Sequence, residues 1–127
     1  MAKTAALCAL IVMLGTSTPA QAAGFIMNRE AWEKMSGEAR RWYAAGAFDE
    51  IATASTEDRQ AIVDIKLALI RCARDQEMSV ETMSRLITSG YEGDETRWAY
   101  PASAVLYGGL LRACSIYLPS AAKGGQP

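Results

Sequence analysis

The stretch that most constrains the fold runs from Pro101 to Leu118, Pro-Ala-Ser-Ala-Val-Leu-Tyr-Gly-Gly-Leu-Leu-Arg-Ala-Cys-Ser-Ile-Tyr-Leu, where Arg112 is the one charged residue. Pro101 has a ring-fixed φ and no N–H where a helix start tolerates both, and Pro119 marks the stop. Apolar residues occupy every side of the helical wheel, and a helix of that kind must be buried. At about 18 residues it approaches the length of a membrane span. Ser103, Gly108, Gly109, Arg112 and Ser115 interrupt it, which predicts a core helix instead. A glycine inside a helix costs about 1 kcal/mol, so the pair Gly108-Gly109 predicts another backbone crossing closely there.

The start of the chain carries a different signal. Lys3 precedes an apolar run from Ala5 to Leu14, followed by Pro19-Ala20-Gln21-Ala22-Ala23 with its A-x-A arrangement. This is the pattern of a secretory signal peptide, assigned to residues 1–22. It predicts a single helical domain over residues 23–119, a disordered Gly-rich tail over 120–127, and a periplasmic or secreted location. Stable membrane insertion is not expected once the leader is removed. The mature chain of about 104 residues is enough for one core. It retains fourteen acidic and twelve basic side chains, a net charge of −2. No basic stripe appears, which argues against nucleic acid as partner. Cys8 leaves with the leader, and in an oxidising compartment the remaining pair, Cys72 and Cys114, reads as a disulfide.

The rest of the chain reads as helices. Asn28 caps a short helix from Arg29 to Met35, and Ser36-Gly37-Glu38 is a break with a fresh cap. Trp32, Met35, Ala39, Trp42, Tyr43 and Gly46 form one apolar stripe through both pieces, continuing to about Ala54. That stripe predicts burial for Trp42 and Tyr43. Thr56-Glu57-Asp58 opens a helix whose core face is Ile62, Ile65, Leu69 and Cys72. Ser79 caps another, with Val80, Met83, Leu86 and Ile87 inward and Gly90 at its C′ position. No segment alternates as a strand does. The expectation is an all-α fold, a small bundle of four to five helices with one disulfide, built around the buried C-terminal helix. Cys72 and Cys114 both lie near helix C-termini with one helix between them, so an up-down-up course brings them to the same end.

Chemistry is scarce. The chain has no histidine, which removes the commonest general base and the Ser-His and Cys-His pairs. Bonded cysteines remove thiolate catalysis. Ser120-Ala121-Ala122-Lys123 spells S-x-x-K, but in a tail rather than at the start of a buried helix. Glu92, Asp94 and Glu95 lack the ligand ladder of a calcium loop. No catalytic residue, metal or cofactor is therefore expected. The informative stretch is the connection from Tyr91 to Tyr100. It concentrates Tyr91, Glu92, Asp94, Glu95, Arg97, Trp98 and Tyr100 in more residues than a bundle turn needs. Trp98 and Tyr100 either plug the bundle end or form a recognition loop with an acidic rim.

Tyr43-Ala44-Ala45-Gly46-Ala47-Phe48-Asp49, a Tyr-x-x-Gly-x-x-Asp segment, adds a further sign. With mid-chain and C-terminal cysteines in a small exported helical chain, it resembles the Tai-type immunity proteins, which neutralise the cell-wall amidase effectors of type VI secretion in the periplasm. The resemblance implies an inhibitor that inserts a loop into an enzyme's active site. Arg40 and Arg41 stand where that family has a cysteine, and its early Cys-Pro is missing, so the disulfide pattern differs and no binding residue carries over. The function expected is protein binding, in that family as an immunity protein. A periplasmic stress chaperone and a structural envelope protein are the alternatives, and a homodimer stays open.

Overall fold

The computed structural model describes residues 26–120. The leader assigned to 1–22 lies outside them, as does the tail beyond Ser120. Five α-helices follow in order: α1 (Arg29–Glu33), α2 (Gly37–Ala52), α3 (Gln60–Asp75), α4 (Val80–Glu92) and α5 (Ala102–Ala113), with 3-10 turns at Glu95–Arg97 and Ser115–Tyr117. Among the described residues there is no strand. The protein is an all-α bundle.

Three of the expected caps are in place. Asn28 accepts from the Ala31 N–H, Ser36 from Ala39 and Ser79 from Thr82, each satisfying a donor that a helix start leaves unpaired. The fourth is not. Thr56 lies in a turn, and α3 begins at Gln60 with Arg59 at its cap and no side-chain bond there. The local polar groups have formed a competing structure. The Ser55 N–H donates to the Asp58 carboxylate, and Lys66 reaches back to bond both Asp58 and the Thr53 carbonyl.

The end of α3 is set by a Schellman motif. The Met78 N–H donates to the Ala73 carbonyl and the Glu77 N–H to that of Arg74. Glu77 takes the left-handed position with φ 48°, and Met78 packs back on the core.

α2, α4 and α5 pack against one another, α4 most closely against the other two. The core gathers Trp32, Ala44, Leu69, Cys72, Met83, Ile87, Tyr91, Val105, Leu106 and Leu110. α5 contributes Ala102, Val105, Leu106, Gly109 and Leu110, while Ala104, Tyr107 and Arg112 reach the surface. α3 packs on α2 and on the Ser115–Tyr117 turn. The Cys72–Cys114 disulfide, with Cα atoms 5.7 Å apart, joins its last turns to the end of α5, as the up-down-up course requires.

The close crossing expected at Gly108-Gly109 is found at Gly109, where a Cβ would stand 3.4 Å from the Leu86 Cβ. At Gly108 the same atom would meet only Arg112 of its own helix. The tighter approach is at Gly90. The sequence marks it as a helix end, yet α4 continues to Glu92 and is capped by Gly93. A Cβ on Gly90 would lie 2.4 Å from the Val105 Cγ1, so this glycine lets α5 approach rather than turning the chain.

Trp42 overturns another expectation. It is 71% exposed, while Tyr43, Ala44, Ala47, Phe48 and Ile51 form the inward side of α2. The break at Ser36 re-phases the stripe. Trp32 of α1 meets Tyr43 edge to face at 6.0 Å, and Arg40 stacks on Trp32 and bonds the Trp32 and Glu33 carbonyls. With Tyr43 turned inward, Trp42 stands about 100° further round the helix.

Candidate functional site

The Tyr91–Tyr100 connection is a cross-braced turn rather than a ten-residue loop. Tyr91 and Glu92 form the last turn of α4, and Glu95–Arg97 is a 3-10 turn. Tyr91 corrects the exposed-loop reading. It is 1% exposed, because its position on α4 faces the core beside Tyr43. Burial first, and then the neighbouring Tyr43, push its phenol up to about 12. Its hydroxyl donates to the Tyr100 carbonyl at 2.7 Å, and its own carbonyl accepts from the Trp98 indole Nε1 at 2.9 Å.

Asp94 caps the 3-10 turn, accepting from the Thr96 N–H at 3.0 Å and the Thr96 hydroxyl at 2.6 Å. Its other oxygen pairs with Arg97 at 3.0 Å. The Thr96 hydroxyl, then its N–H, and more weakly Arg97 hold the Asp94 carboxyl below its usual range. Nearby, burial and then Arg97 lower the Arg112 guanidinium, against the pull of Asp94. Asp94 and Arg97 are thus spent on each other. Glu92 and Glu95 stay exposed on the rim.

The third side of the site comes from the start of the described chain. The Arg29 N–H donates to the Trp98 carbonyl and the Ala102 N–H to that of Ile26, so residues 26–29 lie alongside 98–102. The Arg29 guanidinium sits over the Trp98 ring at 4.4 Å from its centroid, and Arg29 also pairs with Glu33. Trp98 is thereby fixed by its indole N–H, by its backbone carbonyl and by a stacked cation, yet remains 42% exposed. Tyr100 is 54% exposed and Met27 55%. An open groove of about 450 Å³ lies beside Trp98, lined by Asn28, Arg29, Glu30, Glu33, Trp98 and Ala99.

The structure therefore leaves Trp98, Tyr100, Glu92 and Glu95 of this segment exposed and buries Tyr91. Met27 and Arg29 were not legible as part of the site, since no pattern in sequence links positions some seventy residues apart. Among the described residues no three acidic or cysteine side chains converge as a metal site. What the arrangement offers chemically is a rigid aromatic surface with a cation behind it and carboxylates at the edge.

Comparison with known proteins finds no match to a family model, to a curated protein or to a solved structure.

Proposed function

We propose that this is an exported helical protein that acts by binding another protein through the surface of Met27, Trp98 and Tyr100, with Glu92 and Glu95 on the rim. The observation that carries the reading is Trp98. An aromatic held in one orientation while half in water loses little freedom on binding, which is the condition of an interface hot spot. No helix among the described residues is long and apolar enough to cross a membrane, and the disulfide suits an oxidising compartment. Both accord with a periplasmic role. The resemblance of Tyr43–Asp49 to the Tai-type proteins makes immunity against a cell-wall hydrolase the specific form of that role.

The test uses purified protein as bait in envelope extract, with mass spectrometry of what is retained, run in parallel with Tyr100→Ala and Trp98→Ala. Tyr100 engages the fold through its carbonyl, so Tyr100→Ala keeps that bond. Both variants are expected to lose the same retained protein, Trp98→Ala costing about 2 kcal/mol of affinity. Glu95→Lys is expected to slow association. A partner retained equally by all forms would exclude this surface. N-terminal sequencing of the envelope-derived protein is expected to begin at Ala23 or Gly24, and an intact Met1 in the cytoplasmic fraction would exclude export.

A further inference from the structure

α3 is apolar on two opposite sides, and its own chain covers one of them. Ala68, Leu69, Cys72 and Ala73 face the core. At about 100° per residue, Val63, Leu67 and Ile70 fall together on the far side, where Leu67 is 50% exposed and Ile70 37%. A surface helix carries one apolar stripe, and the second stripe of α3 has no cover within the described chain. Positions 60, 63, 67, 70 and 74 step alternately by three and four, the spacing of the seam in a helix pair. Gln60 and Arg74 give that seam polar ends.

We propose that this side of α3 docks a second copy of the chain, the two α3 helices running antiparallel across a two-fold axis near Leu67. Charge selects both the occupant and the direction. Asp64 and Arg71 lie on the same flank of the stripe, two turns apart, one before Leu67 and one after it. Antiparallel pairing lays like flank on like flank and reverses the order along the helix. Asp64 of each copy then meets Arg71 of the other. The same operation sets Val63 against Ile70 of the other copy and Leu67 against Leu67. The face is thus complementary to itself, as a two-fold contact requires. A parallel pair would instead set Arg71 beside Lys66 of the other copy, like charge against like.

The charges near the seam fit this use. Arg71 is exposed and has no ion-pair partner among the described residues. Asp64 accepts only from the neutral Gln60 amide, at 2.8 Å. Two other cations are already engaged, Lys66 with Asp58 at 2.7 Å and Arg74 with Asp75 at 3.0 Å. Arg59, just before the helix, comes toward Arg74 of the other copy and keeps the association weak. So does size: sixteen residues of helix span about 24 Å, a small face beside the roughly 800 Å² per partner of a stable interface. The dimer is a reversible one, forming between about 10 µM and 1 mM.

Sedimentation equilibrium of the purified protein over that range decides it. A concentration-dependent dimer is expected, and Leu67→Gln should raise its dissociation constant at least about tenfold. The melting temperature of the dilute Leu67→Gln variant should stay unchanged, since the side chain packs on nothing in the single chain. Asp64→Arg and Arg71→Asp should each weaken self-association, because each sets like charges against one another. Mixed together, those two single variants should form a heterodimer at least as tight as the native pair, since every contact across the axis is again of opposite sign. Damage to the fold cannot produce that recovery. Trp98→Ala should leave association unchanged, which separates this face from the partner surface at the other site. A monomer throughout the range, a dimer indifferent to Leu67→Gln, or no recovery on mixing overturns the proposal.

Discussion

The turn around Trp98 and the helix α3 are secured by different means. At the turn, side-chain bonds tie Trp98 to the Tyr91 carbonyl, Tyr91 to the Tyr100 carbonyl, and Asp94 to Thr96 and Arg97, and residues 26–29 brace it from outside. No buried side-chain polar atom among the described residues lacks a partner. α3 has few such ties. Ala68, Leu69, Cys72 and Ala73 face the core, but Ile62, Leu67 and Ile70 are exposed, and polar bonds hold its start through Lys66 alone. An irregular segment can be rigid when its polar groups are cross-bonded, and a regular helix can depend on one covalent link.

The largest test of that contrast is removal of the disulfide. Cys72→Ala with Cys114→Ala is expected to cost about 4 kcal/mol in the chain-entropy model, given a separation of 42 residues. Hydrogen exchange should accelerate first in α3 and leave α4 and the Trp98 turn protected. Uniform loss of protection across all helices would break the distinction.

Tyr91→Phe tests the other region. It removes the bond to the Tyr100 carbonyl and should destabilise by about 1 kcal/mol in chemical denaturation. It should also change the alkaline limb. The folded phenol titrates at about 12, above its ordinary 10.0, so the folded state resists ionisation and stability falls as pH rises from 10 toward 12. The Phe variant should lack that slope.

At the C-terminal end of α3, Glu77→Gly should stabilise the fold by up to about 1 kcal/mol, because the left-handed conformation at φ 48° suits glycine. A higher melting temperature checks it, and no change would mean that Glu77 bears no strain. The smallest effect is at the helix start. Bonds from Lys66 first, and then from the Ser55 N–H, lower the Asp58 carboxyl below its usual 3.8. Its contribution is therefore present above that value and lost as pH falls through the folded one. Asp58→Asn should flatten the acid limb of the stability curve below pH 3.8.

The sequence by itself determined the helices, the caps at Asn28, Ser36 and Ser79, and the pairing of Cys72 with Cys114. Periodicity and capping are local, and once Cys8 is assigned to the leader the two remaining cysteines have one intramolecular pairing. It also marked Trp98 and Tyr100 as worth following, through composition alone. The tertiary structure decided which aromatics meet water. Trp42 and Tyr91 each exchanged the expected environment for the opposite one, because a break at Ser36 and an extra turn of α4 rotate side chains by amounts that no local pattern records. It also decided that Gly90 admits Val105 and that Arg29 stacks on Trp98. Both depend on segments far apart in the chain, whose approach is fixed only when the whole core packs.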